Sequence, residues 1–203
     1  MEYLVTMTTH VPDGTPGQAV DDVRAREAAH TSELVAQGNV LRLWRPPLQP
    51  GEWRTLGLFA AADGGQLEDV LASMPLRVWR TDEVTPLAPH PNDPGPAPQA
   101  RGKAAEFLTT FVAVVPEGTP GEAVIQAEAR EADRARELAG EGHLVRLWRL
   151  PAEGHALGLW RARDTAEMQA IVDSLPLDPF MTTQITPLTE HPSDPAITAA
   201  HPS

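Results

Sequence analysis

The sequence predicts an α+β fold written twice in one chain, and three observations carry that prediction. The stretch Gly38-Asn39-Val40-Leu41-Arg42-Leu43-Trp44-Arg45 returns as Gly142-His143-Leu144-Val145-Arg146-Leu147-Trp148-Arg149. Residues 2–45 set against 106–149 without gaps agree at 22 of 44 positions, far more than unrelated segments share. Between the copies, residues 88–105 carry prolines at 89, 91, 94, 96 and 98 and few large apolar side chains, the composition of a semi-extended linker. The chain therefore divides into a first unit at 1–87, a linker at 88–105, a second unit at 106–195 and a frayed tail at 196–203.

In the first unit, Tyr3 to Thr9 alternate and favour β-branched and aromatic types, which reads as a strand. Prolines and glycines between Val11 and Gly17 break it, with Thr15 as N-cap and Pro16 at the first helical position. Apolar residues at Ala19, Val20, Val23, Ala28, Leu34 and Val35 then mark one face of an amphipathic helix ending at Gly38. The strand carrying Arg42 and Trp44 follows, with Leu41, Leu43 and Arg45 on one face and Arg42 and Trp44 on the other. After a Pro/Gly loop come a third strand from Thr55 to Ala60, a helix from about Gln66 to Ser73 and a fourth strand from about Val78 to Leu87. The order βαββαβ is the ferredoxin-like plan, an antiparallel sheet with both helices on one face. Its other face has no cover from its own unit, so the two units are expected to pack through these faces as an intrachain dimeric α+β barrel.

The second unit repeats this plan with a shorter central hairpin: Arg45 and Phe59 are separated by three more residues than Arg149 and Trp160. Both units close on matching segments, Met74-Pro75-Leu76 with Leu175-Pro176-Leu177, and each ends in His-Pro-x-Asp-Pro, at His90 to Pro94 and His191 to Pro195.

The chain has 28 acidic and 16 basic residues, a net charge of −12, which would repel a phosphate backbone and disfavours nucleic acid as a partner. It has no Cys, which removes disulfides, thiol catalysis and Cys-ligated zinc. No apolar run approaches the roughly 18 residues that span a bilayer, and the N-terminus lacks the pattern of a signal peptide. A soluble, cytoplasmic protein acting on a small molecule, without a membrane partner, is expected. Aromatic residues are only 5%, so cores of Leu, Val and Ala are expected, with assembly into a higher homo-oligomer adding burial.

Both units resemble the muconolactone Δ-isomerase family. The resemblance rests on the first strand and its Pro/Gly turn, the helix carrying Arg26-Glu27 or Arg130-Glu131, and the Gly-x-x-x-Arg-Leu-Trp-Arg strand. It extends to the (Met/Leu)-Pro-Leu segment with an aromatic three residues on (Trp79, Phe180) and to the closing His-Pro. It implies a cofactor-independent isomerase that shifts a double bond in a small unsaturated lactone or related acid. Elimination or cyclisation of a polyketide-like intermediate, or a barrel that binds a small ligand without catalysis, are the alternatives. Two features depart from the family: an arginine stands before each glutamate where the family has Asp, and the hairpin reads Gly51-Glu52-Trp53 or Ala152-Glu153-Gly154 in place of Gly-His-Tyr.

Glu27 and Glu131 match the family's glutamate and are the candidate general acid/bases, since a carboxylate in a water-poor cavity has its pKa raised toward proton transfer. The plain alternative is a solvated helix glutamate. Arg42, Arg45, Arg146 and Arg149 suit a substrate carboxylate, with Trp44, Trp53 and Trp148 as cavity walls. Against this, Arg42 and Trp44 would equally make a cation–π pair that no substrate touches. His30, one turn after Glu27, is a candidate modulator whose counterpart is Arg134. Because a permanent cation lowers a carboxylate's pKa, Glu27 is expected to outperform Glu131. His90 and His191 precede prolines at the ends of the units and could reach into the partner unit's pocket, although turn residues are the safer reading. Haem would need His10, His30, His143 or His155 as axial ligand and no haem signature accompanies them, so no cofactor is expected.

Overall fold

Alternating buried and half-buried residues along β1 (Glu2–Thr9) send Tyr3, Val5 and Met7 into the first core. A computed structural model of the chain describes residues 1–96 and 104–198. The parts of the expected linker at 97–103 and of the expected tail at 199–203 lie outside the described residues. Helix α1 (Gly17–Ala36) starts one residue later than expected, with Pro16 at the N-cap. The Thr15 hydroxyl turns back to the Pro12 carbonyl (2.6 Å) and caps nothing. The helix stops where Gly38 adopts φ +78°, which lets the Asn39 N–H reach the Leu34 carbonyl at 2.9 Å.

Strand β2 (Val40–Arg45) pairs with β3 (Arg54–Ala60), and the register shifts between Val40 and Arg42. This bulge puts Val40 beside Leu43 in the core, where simple alternation had placed Leu41. In β3 the ring of Phe59 lies across Gly57, in the space a Cβ would need. Helix α2 (Gly64–Ser73) is capped by Asp63, whose carboxylate accepts from the Gln66 N–H at 2.9 Å. Pro75 then opens a 3₁₀ turn, Pro75–Trp79, and this turn absorbs the first two residues expected in the next strand. β4 accordingly runs Arg80–Pro89.

The second unit repeats the order: β5 (Ala105–Ala113), α3 (Gly121–Gly140), β6 (Leu144–Arg149), β7 (His155–Ala162), α4 (Thr165–Asp173), a 3₁₀ turn Asp178–Phe180 and β8 (Met181–Glu190). In the first unit β1 lies between β3 and β4, and β3 also pairs with β2. In the second, β5 lies between β7 and β8, and β7 pairs with β6. All these pairs are antiparallel, and the α+β class with two ferredoxin-like units is the one expected. The cores are mainly aliphatic, with Tyr3 and Phe59 in the first unit and Phe107, Phe111 and Trp160 in the second.

By compactness the first unit is Met1–Leu87 together with the segment that begins at Thr189, and the second is Ala88–Leu188. Thr189 and Glu190 pair with Arg45 and Trp44 along β2. Ala88 and Pro89 pair with Arg149 and Trp148 along β6. Each unit is therefore completed by the His-Pro-x-Asp-Pro motif that follows the other repeat in sequence: His191 and Asp194 belong to the first unit, His90 and Asp93 to the second. No helix among the described residues is long and apolar enough to cross a membrane.

Candidate active site

The exchanged motif explains the Arg-Leu-Trp strand. Asp194 is fully buried and accepts from Arg42 Nε (3.0 Å) and Nη2 (3.1 Å) and from the Leu43 N–H (3.2 Å). Asp93 does the same in the second unit, accepting from Arg146 Nε (3.2 Å) and the Leu147 N–H (2.9 Å). Arg42 stacks over Trp44 at 4.7 Å and Arg146 over Trp148 at 4.8 Å. Arg42, Trp44, Arg146 and Trp148 consequently do not line either cavity, contrary to the substrate-binding expectation. An aspartate occupies each guanidinium fork, and an arginine held this way organises the sheet edge instead of a ligand.

Each glutamate is held by the turn after the second helix. The first N–H groups of a helical turn have no partner inside the turn, and a carboxylate satisfies one of them. The Leu76 N–H donates to Glu27 Oε2 (2.8 Å) and the Leu177 N–H to Glu131 Oε2 (3.0 Å). The Met-Pro-Leu and Leu-Pro-Leu segments therefore position the glutamates. Both glutamates line cavities, of about 280 Å³ in the first unit and about 490 Å³ in the second. Burial pushes both carboxyl groups up from their ordinary range, while the backbone hydrogen bond pulls each down.

The first cavity also holds Arg45 and Trp53, together with Arg24 and Arg80, which sequence reasoning did not single out, and His191, which it weighed as reaching a pocket and read instead as a turn residue. Arg24 lies over the Trp53 ring at 4.7 Å. Arg80 Nη1 donates to Glu27 Oε1 (3.2 Å), and its Nε forms an ion pair with Asp82 (2.6 Å). Asp82 is also held by Arg77. The second cavity holds Arg149, and His90 at the place of His191.

These two histidines sit in their turns and also face the cavities. The Ser193 N–H donates to His191 Nδ1 (3.2 Å) and the Asn92 N–H to His90 Nδ1 (3.1 Å). A ring nitrogen that accepts carries no proton, so the neutral rings keep theirs on Nε2. Burial, helped by Arg45, lowers the His191 pKa to about 4 against the smaller opposing effect of Asp194. Burial and Arg149 likewise lower His90, with Asp93 opposing. Both imidazoles are thus neutral hydrogen-bond donors near pH 7.

His30 stands outside the cavity. Its Nδ1 meets Glu33 (2.9 Å) and its Nε2 meets Ser73 (2.8 Å), and Arg134 makes the same two contacts, with Glu137 (3.0 Å) and Ser174 (3.2 Å). The position is a clip from the first helix to the end of the second, and His30 lowers the Glu27 pKa less than Arg80 does. Contrary to expectation, Glu27 has a permanent cation beside it. Arg80 is that cation, whereas the charged neighbour that shifts Glu131 is Asp178, pushing it further up. Among the haem-ligand candidates, His155 lines the second cavity with Nδ1 bonded to the Glu153 carbonyl (2.9 Å), and His143 Nδ1 contacts the Arg161 carbonyl (2.9 Å).

A sequence model of the muconolactone delta-isomerase family fits residues 1–93 and again 105–194. The muconolactone Δ-isomerase of Cupriavidus pinatubonensis is 34% identical over 92 residues, 45% of this chain and 97% of that protein. Muconolactone Δ-isomerase 1 of Acinetobacter lwoffii is 32% identical over 92 residues, 45% of this chain and 93% of its own length. Among solved structures, a heme-binding protein from Thermus thermophilus shares the fold alone, at 12% identity and a TM-score of 0.59 over 98% of this chain and 95% of that one. With one family unit matched in each half, this chain belongs to the muconolactone delta-isomerase family.

Proposed function

We propose that the first unit's cavity is a cofactor-independent isomerase site that moves a double bond in a small unsaturated lactone bearing a carboxylate. The observation that carries this reading is Glu27: a carboxyl group raised by burial and fixed by the Leu76 N–H, in a cavity that also offers Arg24 and Arg45. Those guanidinium groups are suited to a substrate carboxylate, and Trp53 to the face of a flat ring. Glu27 takes a proton from the ring carbon next to the double bond. The electron pair left behind delocalises onto the lactone carbonyl oxygen, and the same proton returns from Glu27 to the far end of the conjugated system. Atoms and charge balance without an oxidant or a metal. Neutral His191 supports the step by donating from Nε2 to the developing oxyanion, as a preorganised donor should.

The test follows muconolactone turnover by ultraviolet absorbance. Replacing a general base typically costs about 10²- to 10⁴-fold in rate. Glu27→Gln is expected to show that loss with the fold retained by circular dichroism, while Glu131→Gln keeps most of the activity. Turnover unaffected by Glu27→Gln, or none by the wild type on this or a related small lactone acid, would overturn the reading.

A further inference from the structure

The second cavity differs from the first in the residues of its walls. Three polar positions of the first cavity, Thr9, Thr31 and Thr55, are Ala113, Ala135 and Ala156 in the second. The equivalence is structural: Thr9 N–H donates to the Trp53 carbonyl (2.8 Å) as Ala113 N–H donates to the Gly154 carbonyl (2.9 Å). By the same correspondence Trp53 becomes Gly154, Arg80 becomes Met181 and Arg24 becomes Glu128. All six changes remove bulk, polarity or positive charge. The cavity grows from about 280 to about 490 Å³, within the size range of roughly 300–1,000 Å³ typical of small-molecule sites.

The charge balance of the walls inverts with these changes. Arg24, Arg45 and Arg80 face Glu27 in the first cavity, whereas among the described residues of the second Arg149 alone faces Glu128 and Glu131. Arg149 Nε is already donating to the Pro89 carbonyl at 3.1 Å. An anion that suits the first cavity therefore meets two carboxylates and a single, partly engaged guanidinium in the second, over walls that include Trp160 and Phe180. Glu131 and His90 keep their places, so a hydrogen-bonding oxygen on the ligand still finds partners.

We propose that the cavity of the second unit is a separate binding site for an uncharged, largely apolar molecule of about two fused rings carrying one hydrogen-bonding oxygen. The site stands independently of the reaction assigned to the first unit. Calorimetric titration of the whole chain at pH 7 with 2-naphthol and with 2-naphthoate tests it, because the probes share a ring system and differ in charge. We expect 2-naphthol to bind with one site and, in Thr55→Trp, whose anion-suited first cavity is filled, 2-naphthoate to bind at least tenfold more weakly than 2-naphthol. Val124→Trp, which fills the second cavity from α3, should weaken 2-naphthol at least tenfold and leave muconolactone turnover unchanged. Thr55→Trp, which fills the first, should leave 2-naphthol binding unchanged. If Val124→Trp fails to fold, the indole N–H resonances of the wild type carry the test. That of Trp160, held by Thr109 Oγ1 at 2.8 Å, should move on adding 2-naphthol, and that of Trp53 should stay. No binding of 2-naphthol, a preference for 2-naphthoate in Thr55→Trp, or binding of 2-naphthol abolished by Thr55→Trp and spared by Val124→Trp would each overturn the proposal, whether or not muconolactone is turned over.

Discussion

The two units differ least where the chain folds and most where a ligand would lie. Both keep the glutamate, the proline turn that holds it, the Arg-Leu-Trp strand and the aspartate that completes it. They diverge in the cavity walls, where arginine, tryptophan and threonine on one side face methionine, glutamate, glycine and alanine on the other. A duplicated unit can change its walls at small cost to the sheet: Arg80 donates to the Leu71 carbonyl (3.4 Å), a contact outside the strand ladder that Met181 does without. It cannot change the aspartate, because a β2 or β6 amide and a guanidinium depend on that one carboxylate.

The largest effect expected from this comparison concerns that aspartate. The Arg42–Asp194 pair is almost completely buried, with side-chain exposures of 1% and 0%, whereas Arg146 and Asp93 retain 13% and 11%. Removing one partner of a buried pair leaves an uncompensated charge and costs about 3–5 kcal/mol. Asp194→Ala should lose that much in urea unfolding, and Asp93→Ala visibly less, since water reaches Arg146. Equal losses would erase the distinction between the two pairs.

A smaller effect follows from the exchanged histidines. The folded pKa of His191, about 4, lies below its unfolded value of 6.5, so the unfolded chain binds the proton first as the solution is acidified. The contribution is fully present above pH 6.5 and is lost as pH falls toward 4, by at most about 3 kcal/mol. Melting temperatures from pH 7 to 4.5 should fall less steeply for His191→Asn than for the wild type. Parallel curves would mean that the ring titrates normally.

The smallest expected effect exchanges a wall residue between units. Arg80→Met imports the second unit's residue and removes the cation that lowers the Glu27 pKa. Because the base must be ionised to take a proton, the acidic limb of kcat/KM for muconolactone should move to higher pH. Asp82 keeps Arg77 as a partner, which limits the cost to the fold. A limb that stays in place, or moves to lower pH, would remove Arg80 from the proton chemistry.

Much of the fold could be read from the chain. Periodicity, the two glycine helix stops and the 22 matches in 44 positions set two βαββαβ units, and the glutamates were found by their match to the family. The reading went astray where one residue of phase mattered, at the Thr15 cap and at the bulge after Val40. A bulge leaves no mark in a pattern of apolar residues, since Val40, Leu41 and Leu43 are equally apolar. Arg42 and Trp44 looked like a ligand wall because nothing nearby in sequence neutralises that arginine.

The sequence by itself determined the class of fold and the duplication, because each is written in local spacing and in the repeat, and the family resemblance singled out the pair of glutamates. Tertiary structure alone decided what those groups meet. Asp194 reaches Arg42 across 152 residues, Arg80 reaches Glu27 across 53, and His191 joins the first cavity from the end of the second repeat. Charge, burial and hydrogen bonding act through space over a few ångströms, so a guanidinium's role is set by whichever carboxylate the fold brings to it.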